Sequence, residues 1–101
     1  MTLGQKQRKF TKMVGMLIQY AYFEGFELSL GDAFATDGHR VGSLHYSRLA
    51  IDLNLFKDGK YLTETIDHAF LGEYWKRLDP ECTWGGDFGG KDGNHYSYGE
   101  H

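Results

Sequence analysis

Ser43-Leu44-His45-Tyr46-Ser47-Arg48-Leu49-Ala50-Ile51-Asp52-Leu53-Asn54-Leu55-Phe56 sets an ionisable carboxylate inside an otherwise apolar run, with a histidine seven residues before it. Leu49, Ile51, Leu53 and Leu55 alternate with Ala50, Asp52, Asn54 and Phe56, the period of two expected of a strand that lays one face on a core. Asp52 falls on the opposite face. If that face is covered too, an unanswered carboxylate costs several kcal/mol, so a metal, an arginine or a lysine is expected beside it. The plain alternative is an ion pair of Asp52 with Arg48 or Lys57, with the histidines as ordinary polar residues.

The far end of the chain favours the metal. Asp92-Gly93-Asn94-His95 supplies a second histidine with an acid three residues before it, so His45, Asp52 and His95 form a set of two histidines and one carboxylate, with Asp92 to spare. Three protein ligands are the count of a catalytic zinc site, which keeps a further position open, whereas closed structural sites are mostly built from cysteines. Cys82 is the single cysteine and cannot build one. A spare acid suits metal-assisted hydrolysis, because zinc lowers the pKa of water and a nearby carboxylate can accept the proton and pass it to the leaving amine. Asp87 competes with Asp92 for that role, but the shorter tether to His95 favours Asp92.

Around this core the chain reads in order. Thr2-Leu3-Gly4-Gln5 has capping-box spacing, and Phe10, Met13, Val14, Leu17, Ile18 and Ala21 recur at helical intervals, predicting a helix from about 3 to 24 whose apolar stripe is scaffold. Phe26 to Leu30 alternates as a strand, and 31 to 42 is a polar, glycine-bearing loop in which His39 is expected to be solvated. Asp58-Gly59 signals a hairpin into Tyr61-Leu62. Thr63 or Thr65 caps a second helix reaching about Leu78, with Ile66, Ala69, Phe70, Tyr74 and Leu78 toward the core, His68 exposed among acids, and Pro80 beyond its end. Residues 84 to 93 hold five glycines, and Trp84 before them and His95-Tyr96-Ser97-Tyr98 after them pin a loop that carries Asp92 to the metal.

At 101 residues this is one domain with one modest core, and a net charge of -3 with no basic block disfavours nucleic acid. The lone cysteine forms no internal disulfide, which is compatible with a reducing cytoplasm. No apolar stretch has signal-peptide or membrane-spanning character, so neither export by its own signal nor membrane insertion is expected.

Ser43-x-His45-x6-Asp52, followed by Trp84-Gly85-Gly86 and Asp92-x-x-His95, resembles the zinc peptidases that include D-Ala-D-Ala carboxypeptidases of the vancomycin-resistance type and L-alanyl-D-glutamate endopeptidases of phage endolysins. The run from Leu49 to Phe56 is most similar to the endolysin branch, and the resemblance spans about residues 27 to 98. It implies Zn2+ on His45, Asp52 and His95, Asp92 as general base, and Ser43 in a supporting hydrogen bond. Two positions depart from the family pattern. Arg48 stands where a glycine commonly follows the first histidine by three, and Ala35 follows Gly31-Asp32-Ala33-Phe34 where an arginine is usual. Arg40, in the loop before Ser43, is the candidate substitute for that arginine in holding substrate or oxyanion.

The expected architecture is a small α+β domain, two helices on a mainly antiparallel sheet of three or four strands, with the zinc on the open sheet face. The expected function is hydrolysis of the L-Ala–D-Glu bond in the peptidoglycan stem peptide by a monomeric unit without a separate wall-binding domain. Such a protein reaches the wall from the host cytoplasm once something else has opened the membrane. A D,D-carboxypeptidase removing terminal D-Ala, and a non-catalytic zinc-containing wall-binding module, are the alternatives.

Overall fold

Strand β2 (Ala50–Lys57) is the centre of the sheet, and it forms where the sequence alternates. Ile51, Leu53 and Leu55 are buried on the helix-covered face, while Asp52 and Asn54 look the other way and are half-buried. The computed structural model describes residues 1–89 and 91–99. Strand β1 (Glu27–Leu30) pairs along one edge of β2, from Glu27 opposite Phe56 to Leu30 opposite Leu53. The other edge is shared: β5 (His95–Tyr98) lies against Ala50 to Asp52, and the short β3 (Lys60–Leu62) against Leu55 to Lys57. Strand β4 (Cys82–Trp84) adds to β5, and every pairing is antiparallel. Among the described residues the sheet therefore has five strands: β3 is the short return predicted after the Asp58-Gly59 turn, and β4 is the strand the sequence did not announce. That turn holds φ 51° at Asp58 and φ 79° at Gly59, the doubly left-handed backbone of a two-residue hairpin.

Helix α1 (Leu3–Phe23) starts at the expected capping box, where Thr2 Oγ1 accepts from the Gln5 amide and the Gln5 side chain accepts from the Thr2 amide. It buries Phe10, Met13, Val14, Leu17 and Ala21. Its Tyr20 stacks on Tyr74 of helix α2 (Ala69–Leu78), ring centroids 4.1 Å apart, which joins the two helices on the apolar sheet face.

The second helix departs from expectation. Thr65–His68 is a 3₁₀ turn, capped reciprocally by Glu64 and Asp67, and only then does α2 begin. Three residues per turn through that segment reset the helical phase. Leu71, Gly72 and Trp75 become the buried residues, Ile66 is left exposed, and Phe70, Tyr74 and Leu78 pack at the margin. The same reset turns His68 inward: it is buried, with Nδ1 2.8 Å from the Tyr96 hydroxyl, rather than exposed among acids. Among the described residues no helix is long and apolar enough to cross a membrane.

Candidate metal centre

Each of the three expected ligands is set by a local device. Ser43, itself buried, caps the 3₁₀ turn Leu44–Ser47 by accepting from the His45 amide at 3.2 Å, so its hydroxyl fixes the turn that carries His45 and not the imidazole itself. Gln7 Nε2 ties the same turn to α1 through Ser47 O at 2.9 Å. The chain then reverses at Arg48, whose φ of 57° and ψ of 36° lie in the left-handed region that favours glycine. That explains why a glycine suits this position. Here the guanidinium sits over the Phe34 ring, 4.0 Å from its centroid.

Asp52 is held through its backbone. Its carbonyl accepts from Gly31 N at 2.7 Å and its amide donates to Asp32 O at 2.9 Å, while across the other edge it pairs with His95. His95 closes a turn in which its amide donates to Asp92 O at 3.0 Å. Trp84 pins that turn by donating from Nε1 to Gly93 O at 2.7 Å. Gly85 lies so close to the Asp92 carbonyl and the His95 Cβ that any side chain there would overlap them. Gly72 and Gly86 flank the Trp84 ring equally closely. The Trp84-Gly85-Gly86 sequence is thus a packing device that presents Asp92 and His95.

The side chains converge. His45 Nε2 is 3.3 Å and His95 Nδ1 3.6 Å from the same oxygen, Asp52 Oδ1, and the two rings meet at 68° with centroids 5.2 Å apart. One ligand atom from each of the three residues lies within 4.8 Å of the others. Ligands at 2.0–2.1 Å from a tetrahedral zinc are separated by about 3.3–3.4 Å, so the triangle already has nearly the size such an ion requires. Both imidazoles are buried, and burial lowers the His45 pKa against the opposing pull of Asp52. A neutral imidazole is the form that ligates a metal. The two cations that could have answered Asp52 are engaged elsewhere, Arg48 over Phe34 and Lys57 over Phe26. The donor set fits a divalent zinc.

Arg40, Ser43, His45, Asp52, Asp92 and His95 line one open cleft of about 300 Å3. Asp87 does not line it; its carboxylate lies 3.0 Å from Lys76 Nζ on α2. Ala35 meets His45 through its backbone, donating to His45 O at 3.3 Å. His39 lines the same cleft, where its place in the loop had favoured a solvated residue over a fourth ligand or acid catalyst. Its ring stacks on His45 at 4.1 Å, its Nε2 is 3.3 Å from Asp32 Oδ2, and its backbone amide donates to the Tyr46 hydroxyl at 2.8 Å. It is part of the wall and not a solvated loop residue. The only sequence signal was its place in the loop before Ser43.

An antiparallel sheet with a zinc-compatible triangle and a free acid in one cleft defines a metallopeptidase type of site. The model of the D-alanyl-D-alanine carboxypeptidase family matches residues 36–98, which is more than half of the chain and includes His45, Asp52, Asp92 and His95. The chain belongs to this peptidase family. No curated protein matches it.

Proposed function

We propose that this protein is a zinc peptidase of bacterial peptidoglycan that hydrolyses the L-Ala–D-Glu bond of the stem peptide, in the manner of a phage endolysin that meets the wall after the membrane has been opened. The observation that carries the reading is the convergence of His45 Nε2 and His95 Nδ1 on Asp52 Oδ1 within a cleft that Asp92 also lines. When bound, zinc supplies a Lewis acid that polarises the scissile carbonyl and acidifies a water molecule. His45, Asp52 and His95 would hold the ion, and Asp92 would take a proton from the attacking water as its oxygen adds to the carbonyl carbon, then give it to the amine as the C–N bond breaks. Arg40, the cation lining the cleft, answers the charge that develops on the carbonyl oxygen, in place of the arginine that Ala35 lacks. His45 and His95, buried and fixed by the turns that carry them, keep the ligand triangle from relaxing during the reaction.

A second reading is removal of the terminal D-Ala, favoured by the description of the family the chain matches. Metal content of the purified protein together with the masses of the fragments released from peptidoglycan tests both. One zinc per chain with new amino groups on D-Glu supports the endopeptidase; released free D-Ala supports the carboxypeptidase. Zinc-loaded protein that binds sacculi and releases nothing would make this a wall-binding module and overturn the enzymatic assignment.

A further inference from the structure

Beyond the metal, the open face of the sheet runs on into a second cavity of about 160 Å3, lined among others by Asn54, Tyr61, Thr65, His68, Lys91 and Asn94. At about 30 Å3 per water it holds roughly five waters, room for a carboxylate and the methylenes that carry it. The two cavities share a floor. Asn54 follows Asp52 by two residues on the same face of β2, about 7 Å along the strand, and Asn94 directly precedes His95.

The chemistry of this cavity is one-sided. In a chain of net charge -3, no carboxylate is among the described residues that line it, and Lys91 brings a cation. His68 is 3% exposed and keeps Nδ1 on the Tyr96 hydroxyl. With Nδ1 engaged there, the Nε2 edge of the ring is left to the cavity that His68 lines. The Asn54 amide is engaged at both ends, Nδ2 donating to Ser29 Oγ at 3.2 Å and Oδ1 lying 3.5 Å from Tyr61 Oη. A positive charge and neutral polar side chains therefore line a space with no fixed anion among its described residues.

We infer that the cavity between His68 and Lys91 is a substrate subsite for a carboxylate carried by the peptide one or two residues from the bond that is cut. An extended peptide advances about 3.3–3.6 Å per residue, so a chain laid along β2 from the metal brings its next or second-next residue over Asn54. This rests on the peptidase reading above and adds to it the charge of the substrate and the residues that select it.

The test uses zinc-loaded full-length protein and synthetic stem peptides whose carboxylates are amidated one at a time. Amidation of one particular carboxylate lowers wild-type kcat/KM by about tenfold or more, the size expected for losing a hydrogen-bonded charge. In Lys91→Gln the ratio between acid and amide peptides narrows to within about twofold, mainly through KM, and Lys91→Arg restores it. Equal turnover of all the peptides by the wild type, or an unchanged ratio in Lys91→Gln, overturns the subsite while leaving the peptidase intact. If no peptide is cleaved, the peptidase reading fails, and titration by nitrogen NMR decides the subsite separately. Shifts at the His68 ring and the Lys91 ammonium with the acid peptide but not its amide support it, and their absence overturns it.

Discussion

Lys76 Nζ lies 3.0 Å from Asp87 Oδ2 and 3.1 Å from Glu73 Oε1, so the first acid of the glycine-rich segment is drawn onto α2 and away from the cleft. Asp92 is left as the acid that lines it. On the proposed mechanism Asp92→Asn keeps shape and hydrogen bonding but loses proton uptake, so zinc stays bound and turnover falls by about 10² to 10⁴-fold. Asp87→Asn removes an exposed ion pair worth about 0–1 kcal/mol and leaves turnover close to wild type. Zinc occupancy and wall-lysis rate in both variants check this. A dead Asp87→Asn beside an active Asp92→Asn would exchange the roles, and zinc lost from Asp92→Asn would make it a ligand.

His45→Ala and His95→Ala each remove one corner of a three-membered ligand triangle that has no redundancy, and both are expected to lose stoichiometric zinc. His39→Ala behaves differently. Its ring stacks on His45 without belonging to the triangle, so its loss removes a contact worth about 0.5–1.5 kcal/mol and weakens zinc by roughly tenfold at most. Elemental analysis and competition with a chelator separate the cases. Full zinc in either ligand variant, or no zinc in His39→Ala, would show that the triangle is wrongly drawn.

Much of this arrangement was legible because it is written in local pattern. The period of two around Asp52, the capping box at Thr2 and Gln5, and the Asp58-Gly59 turn each specify their own element within a few residues. The rest depended on partners distant in sequence. His68 reads as an exposed helical residue until Tyr96, 28 positions away, is brought against it. The burial of Trp75 in place of Ile66 follows from a 3₁₀ segment whose pitch the apolar spacing does not reveal. His39 stacks because the loop from 31 to 42 folds back on the turn at His45, a long-range closure with no periodic signature.

Arg40 is expected to act on the reaction and not on the metal. It lines the cleft but is no member of the ligand set, and on the proposed mechanism it stands in for the cation missing at Ala35. Arg40→Ala should keep zinc and lose about 2–4 kcal/mol of transition-state stabilisation if the guanidinium meets the oxyanion. Single-turnover rates against zinc-loaded wild type measure it; wild-type kinetics would leave Arg48 or no residue in that role.

Arg48 sets two effects against each other. A left-handed backbone costs a side-chain-bearing residue about 1–2 kcal/mol, while the guanidinium over Phe34 returns about 0.5–1 kcal/mol at an exposed site. Arg48→Ala keeps the strain and loses the contact, so it is destabilised by about 0.5–1 kcal/mol. Arg48→Gly relieves the strain as well and is expected to be more stable than Arg48→Ala by about 1 kcal/mol. Urea midpoints of the three proteins rank them, and a glycine variant less stable than the alanine variant would refute the backbone argument.

His68 gives the fold a pH dependence whose sign can be stated. Burial lowers its pKa from 6.5 to about 4, with Asp67 opposing weakly, so the folded state holds the ring neutral where the unfolded chain would protonate it. A depressed folded value means that this contribution is complete above pH 6.5 and is lost as pH falls toward 4. The total is about 3 kcal/mol, roughly a fifth to three fifths of a small domain's stability. Denaturant unfolding at neutral pH and near pH 4.5, with saturating zinc in wild type and in His68→Gln, isolates it, because the titration of the metal ligands cancels in the difference. The wild type should lose about 2–3 kcal/mol more than the variant across that interval. Equal losses would mean that burial does not hold the His68 ring neutral.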